Sequence, residues 1–427
     1  MSGVDITVNG TSPLDPALDG TAVNSLLDEI AAVGRDPQTG GYRRFAFTRE
    51  DVALGEWFED ACRVRGLDVT TDRCGNQWAW WGDPDVAVAA GRPGIVTGSH
   101  LDSVPDGGPM DGPLGTASAL AALDLLRAQG FTPTRPIGLV RFVDEEGGRY
   151  GLACSGSRLL TGISRPETVL GLTDAAGSTY AEGLRGVGLD PAAVGRDDET
   201  LRRVGVFVEL HVEQGRWLSR PDVDRPVAAA SLIKAHGRWR VDLLGKADHA
   251  GATRLEDRDD PMLELARFVP AVRAAAAAQG AVGTVGKLDV RPNAVNAIPS
   301  RVTAWLDCRA DTEEQVHAVL ADLAGQGFGI IEESWSPATL LDPALGDRVA
   351  AAAGRAVGRD AAAPPVPVIP TGAGHDAGVL SQHGVAAAML FVRNPTGTSH
   401  APDEFAEPDD RATGVRALAA VLADLCG

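Results

Sequence analysis

Short apolar runs punctuated by Gly and Pro alternate with amphipathic stretches along most of the chain. Residues 95–97 and 137–143 are continuous apolar segments flanked by Gly and Pro, the pattern of buried parallel strands. Residues 117–128 between them read as a helix, and amphipathic helices are predicted earlier at 24–33 and 50–65. Strand, helix and strand in that order argue for an α/β domain around a mixed, mostly parallel sheet. In such sheets, sites form beyond the carboxyl ends of the strands.

The pattern changes near 222–226. Residues 238–244 alternate like a strand with one exposed face. An alanine-rich helix follows at 261–279, then strands at 283–290 and 300–308 and a helix at 312–325. This β-α-β-β-α segment of about 110 residues predicts an inserted, smaller α+β domain with an open antiparallel sheet, ferredoxin-like in its order of elements. A helix at 346–357, a strand at 387–392 and a helix at 409–425 then return the chain to the first domain. The expected organisation is a flexible tail at 1–20, a catalytic domain at 21–225 and 338–427, and an insertion at 226–337.

Composition narrows the function classes. With 427 residues, 44% of them hydrophobic, the chain can bury a large core in two domains. A net charge of −19 argues against nucleic-acid or anionic-membrane partners. The five cysteines are scattered without a CxxC, so neither a disulfide framework nor a thiolate zinc site is indicated. The first residues lack a basic region followed by an apolar run, and no stretch of about 18 apolar residues occurs. The cytoplasm is the expected location.

The chemistry concentrates at the ends of the apolar runs. His100-Leu101-Asp102 closes the run at 94–97, Asp111 sits in the glycine-rich loop that follows, and Glu145-Glu146 closes the run at 138–143. His211, in Glu209-Leu210-His211-Val212-Glu213-Gln214, and His400, in Ser399-His400-Ala401-Pro402, follow two further apolar runs. Asp102 lies where it could orient the His100 imidazole. Among such carboxylates one can bridge two metal ions, one can ligate and one can remain a base, so the set suggests a metal-dependent hydrolase.

Several motifs carry a family resemblance. Gly98-Ser99-His100-Leu101-Asp102-Ser103-Val104, Asp111-Gly112-Pro113-Leu114-Gly115, Glu145-Glu146-Gly147, Gly156-Ser157-Arg158 and Glu209 to Gly215 resemble, in order and spacing, the M20-type amidohydrolases. The similarity is to the branch of allantoate amidohydrolases, N-carbamoyl-L-amino-acid hydrolases and β-ureidopropionases. Asp248-His249-Ala250-Gly251, the run from Asn293 to Pro299, Asp307-Cys308-Arg309, Gly372-Ala373-Gly374-His375-Asp376 and Ser399-His400-Ala401-Pro402 extend it over residues 22–425. His211 indicates the branch, since related peptidases place a carboxylate at that ligand position.

The resemblance implies two divalent ions per subunit, zinc, manganese, cobalt or nickel. Asp111 would bridge them, His100 and His211 would complete one and Glu146 and His400 the other, with Glu145 as general base. It implies that Gln214, Asn296 and Arg309 bind a small carboxylate substrate and that His249 stabilises the oxyanion. It also implies that the insertion acts as a lid and forms a homodimer. The reaction expected is cleavage of a linear C–N amide, a carbamoyl group on an amino-acid-like acid or allantoate. The alternatives are an N-formyl or N-formimino amino acid such as N-formylglutamate, and a small peptide. A noncatalytic ligand-binding relative would have lost the base or ligands, and here all are present. Lys234, Arg254 and Arg393 depart from the family pattern. If they faced the cleft, they would favour a second anionic group on the substrate.

Overall fold

The computed structural model describes residues 19–427, so the expected tail falls, through residue 18, outside the described residues. Packing divides the chain into two units. The first runs up to Ser231 and resumes over Leu341–Ile369 and His375–Gly427; the second comprises Leu232–Leu340 and Pro370–Gly374. The divisions fall a few residues beyond the expected 226 and 337. The short return segment had no sequence signal: it joins the second unit through backbone bonds such as Lys234 N–H to the Thr371 carbonyl (2.9 Å).

In chain order the strands are β1 (Val69–Thr71), β2 (Gln77–Trp81), β3 (Gly94–His100), β4 (Ile137–Phe142), β5 (Val204–Val212), β6 (Val227–Ile233), β7 (Ala235–Leu244), β8 (Asp248–His249), β9 (Val282–Arg291), β10 (Ala297–Ile298), β11 (Arg301–Ala310), β12 (Ile330–Ser336), β13 (Thr339–Leu340), β14 (Val368–Thr371) and β15 (Ala386–Val392). The larger sheet has the order β1-β2-β4-β3-β5-β15-β6-β13, with β14 paired to β6. Its centre, β4-β3-β5-β15, is parallel. The flanks are antiparallel, so the parallel character expected of the sheet belongs to these four strands.

These central strands are apolar because both faces are covered. β3 and β4 are buried along their whole length. Helices Pro113–Ala128 and Pro408–Cys426 pack on each other and on the sheet, burying Leu114, Leu120, Leu123, Val415 and Leu422 completely. Gly98 has φ +153°, and a Cβ there would sit 1.9 Å from the Val140 carbonyl oxygen, so β3 can pass β4 at this point only as glycine.

The second unit has the order β12-β7-β11-β9, antiparallel throughout, in a β-α-β-β-α-β sequence, which is the ferredoxin-like arrangement. Helices Pro261–Ala278 and Glu313–Gly325 cover one face, where Trp239, Val241, Leu243, Val302, Ala304 and Leu306 are buried. The last strand, β12, was not anticipated. It is an edge strand whose Glu332, Glu333 and Ser334 are exposed, so it carries little apolar pattern. Among the described residues no helix is long and apolar enough to cross a membrane.

One buried ion pair ties the outer helix to the sheet. Asp51, in the first turn of helix Arg49–Val64, pairs with Arg141 of β4, and both side chains are 6% exposed. The second Asp51 oxygen accepts the Phe47 N–H (2.8 Å). Removing one partner leaves the other charge buried, so Asp51→Ala should destabilise the protein by about 3–5 kcal/mol in denaturant unfolding. A loss below about 1 kcal/mol, the value of an exposed pair, would show that water reaches Arg141.

Candidate metal centre

The four parallel central strands bring their carboxyl ends into one row, and the chain places its polar residues there. His100 ends β3, Glu145 and Glu146 follow β4, His211 is the penultimate residue of β5, and His400 lies in the loop after β15. Asp111 sits in the loop entering helix Pro113–Ala128. Two sets of ligand atoms converge, His100 with Asp111 and His211, and Asp111 with Glu146 and His400. Asp111 belongs to both. Its Oδ1 faces His211 Nε2 (3.1 Å) and His100 Nε2 (3.6 Å), while its Oδ2 faces His400 Nε2 (3.3 Å). Glu146 approaches His400 Nε2 at 3.5 Å.

The histidine tautomers suit a cation. Nδ1 of His211 meets the Val212 carbonyl (2.9 Å) and Nδ1 of His100 meets that of Asp102 (3.2 Å), so each ring carries its proton on Nδ1 and turns an Nε2 lone pair inward. Both Nε2 atoms are buried without a hydrogen-bond partner, as is Glu146 Oε1. Two lone pairs facing a carboxylate in the interior lack a positive centre, which a divalent ion would supply. The residues present therefore fit the metal. The mixed imidazole and carboxylate set suits zinc, manganese, cobalt or nickel.

The electrostatics point the same way. Burial opposes charging of His100 and His211, yet the surrounding carboxylates outweigh it and raise both. Burial and the Asp111 charge push Glu146 up to about 7, and burial with Asp102 pushes Asp144 up to about 8. More negative charge is gathered here than the interior tolerates unneutralised.

Supporting residues hold this geometry. Asp102 accepts the N–H of Glu145 (3.1 Å) and of Glu146 (3.0 Å), one on each carboxylate oxygen, and so aims the glutamate pair. Glu404 was missed by the sequence reading. One of its oxygens accepts the N–H groups of Met110 and Asp111 (both 2.9 Å), and the other accepts Ser399 Oγ–H (2.9 Å). It thereby joins the Asp111 loop to the His400 loop. Its only sequence signal is a position four residues after His400, which reads equally well as a solvated turn. His400 has φ +56°, an uncommon value outside glycine that this bonding sustains. Glu209, His211 and His375 form a third buried set. Its Glu209 oxygens accept hydrogen bonds from Ser99 Oγ–H (2.7 Å) and Ala377 N–H (3.2 Å), which orient the carboxylate.

Gln214 reaches the centre, with Nε2 2.7 Å from Asp111 Oδ2. His249, Asn296 and Arg309 belong to the second unit. There His249 lies opposite Ala297 in the β8–β10 pair, next to Asn296. His249 Nδ1 accepts the N–H groups of Gly251 (3.0 Å) and Ala252 (3.1 Å), leaving the ring proton on Nε2 as a donor. Arg309 is oriented by two bonds to the Asp307 carboxylate (2.7 and 2.9 Å) and one to the Gly372 carbonyl (2.8 Å).

Each of the three additional cations meets a carboxylate. Arg393 is paired with Asp410 (2.8 and 3.1 Å) and Asp224 (2.5 Å), Arg254 with Glu256 and Asp257, and Lys234 with Asp311 (2.9 Å). Each is already neutralised by a carboxylate.

The model of peptidase family M20/M25/M40 matches residues 96–424. The N-carbamoyl-L-amino acid amidohydrolase of Geobacillus stearothermophilus is 34% identical over 400 residues, covering 92% of this chain and 95% of that protein. The allantoate amidohydrolase of Escherichia coli K12 is 28% identical over 417 residues, covering 95% and 97%. A crystal structure of a hydantoinase/carbamoylase-family amidase from Burkholderia vietnamiensis superposes with a TM-score of 0.83 at 29% identity, covering 97% of this chain and all of that one.

Gly112 offers a test of the centre. It has φ +85°, and a Cβ there would fall 2.4–2.6 Å from three atoms of the His100 ring. Gly112→Ala should fold, by circular dichroism, yet lose most of its bound metal by elemental analysis. Wild-type metal content in that variant would show that His100 is not a ligand.

Proposed function

The chain belongs to peptidase family M20/M25/M40 and is a metal-dependent hydrolase; from that premise we propose that it is a binuclear amidohydrolase removing the carbamoyl group from an N-carbamoyl-L-amino acid. The observation that carries the two-ion reading is the split of Asp111, one oxygen toward His100 and His211 and the other toward His400. Glu146 completes the second set. The carbamoyl substrate is supported by the similarity to the Geobacillus stearothermophilus enzyme over 92% of the chain.

When bound, such ions would lower the pKa of a water and polarise the scissile carbonyl. Glu145 belongs to neither of the two ligand sets that share Asp111, although its carboxylate lies 3.7 Å from His100 Nε2. It is the group free to take a proton from water and return it to the leaving nitrogen. Burial, with the neighbouring Asp376, Glu146 and Glu209 carboxylates, holds Glu145 well above its ordinary value against the pull of His100, which suits a group that must both accept and release a proton. Water adds to the carbamoyl carbon, the bond to the amino-acid nitrogen breaks, and the carbamic acid released yields carbon dioxide and ammonia. We assign Gln214, Asn296 and Arg309 to the substrate and the Nε2–H of His249 to the developing oxyanion.

We also assign a homodimer to the second unit. Its edge strand β9 exposes Val282 (60%) and Leu288 (49%), and the adjacent helix exposes Leu263 (71%). A cytoplasmic location is supported by five cysteines that are all buried and unpaired.

Chelation should abolish turnover, and zinc, manganese, cobalt or nickel should restore it, with two ions per chain by elemental analysis. An active enzyme without metal overturns the mechanism. Ammonia release should favour N-carbamoyl-L-amino acids over N-formyl amino acids and allantoate, and the reverse order reassigns the substrate. Glu145→Gln should retain both ions while kcat falls about 10²–10⁴-fold. Near-normal turnover in that variant would remove Glu145 as the base.

A further inference from the structure

Gln214 lies two residues beyond the end of β5, and its backbone is pinned. The Glu213 N–H donates to the Val392 carbonyl (2.8 Å), and the Glu213 carboxylate accepts the N–H groups of Leu218 (3.0 Å) and Trp217. The side chain is therefore what can move, and it reaches into the second ligand set. Its Nε2 lies 2.7 Å from Asp111 Oδ2 and 3.4 Å from His400 Nε2. Asp111 Oδ2 can only accept, so the amide must turn its nitrogen toward it. The other end of the amide gains nothing: Gln214 Oε1 is buried without a hydrogen-bond partner.

The atoms that the amide contacts are those that, with Glu146, make up the second ligand set. A divalent ion held by Asp111 Oδ2 and His400 Nε2 would need the space and the lone pairs that the amide contacts. We propose that Gln214 is an exchangeable occupant of the second ion's position: its amide holds Asp111 and His400 together until the ion enters, and the displaced amide then turns to the substrate. This rests on the two-ion reading above. The unsatisfied carbonyl keeps the displacement inexpensive, because leaving lets Oε1 find a donor. Competition should therefore weaken the second ion without blocking it. Because one side chain serves both, occupancy by the second ion and affinity for substrate are coupled, each favouring the other.

The test uses the full-length protein stripped by chelation and titrated with Co²⁺, followed by visible absorption and calorimetry, with Gln214→Leu (similar bulk, no donor) and Gln214→Ala beside the wild type. The tighter site should be unchanged in both variants, which also verifies folding. The weaker site should tighten by about three- to tenfold, since the amide's hydrogen bond to Asp111, partly cancelled by its unsatisfied carbonyl, no longer competes. A purely structural role for Gln214 would loosen the site or leave it alone. Two ions in the wild type with an unchanged or looser weaker site in both variants overturns this proposal alone. Uptake of a single ion by the wild type overturns it together with the two-ion reading.

Discussion

A carboxylate that turns its two oxygens toward different groups of ligand atoms must not rotate. In this chain Asp111 does so, held by groups that come from distant parts of the sequence. Glu404 takes its backbone N–H, Ser399 lies 3.3 Å from its Oδ2, and Gly112 leaves room for the His100 ring beside it. The parallel strands bring the histidines within reach, but they do not aim Asp111, which lies in a loop. That task falls to Glu404, itself buried and pushed up to about 7 by burial and by the Asp111 charge. A carboxylate orienting another carboxylate is costly unless backbone N–H donors or cations compensate.

The acidic surplus extends behind the ligands. Asp376 is pushed up to about 8 by burial and by Glu209, and it accepts a hydrogen bond from Ser157 (2.5 Å). The Asp144 carboxylate accepts from Ser155 (2.7 Å), whose Oγ also meets Tyr180 (3.0 Å). Hydroxyl groups thus satisfy acids that would otherwise be isolated, and a bound cation would neutralise those in front. The packing suits a protein that folds around its charge rather than one that excludes it.

The candidate residues of the centre were legible because each terminates or follows an apolar run, where a buried strand has little other use for a polar side chain. His100, His211 and His400, and the pair Glu145 and Glu146, all follow that pattern. Glu404 did not register, because its partners Met110 and Asp111 lie 294 and 293 residues away and nothing local marks it as buried. The partners of Arg393 were equally out of view: Asp410 lies 17 residues on and Asp224 169 residues back. The second unit was legible as a fold from its alternation. The roles expected of His249, Asn296 and Arg309 came only from resemblance: His249 and Asn296 are exposed at the short β8–β10 pair, and Arg309 is one polar position in an alternating strand. Strand β12 and the segment Pro370–Gly374 escaped because edge positions and loops are under little apolar constraint.

The position of β15 has a consequence for biosynthesis. It is the last strand in the chain, yet it lies between β5, which it joins in parallel, and β6, which it joins antiparallel. On the ribosome, most of the sheet is made before the strand that closes it. Until residues 386–392 emerge, β5 and β6 each present a bare apolar edge, the kind of edge that recruits strands from other chains. His400 and Glu404 follow a few residues later, so the ligand set cannot be complete before its sheet is closed.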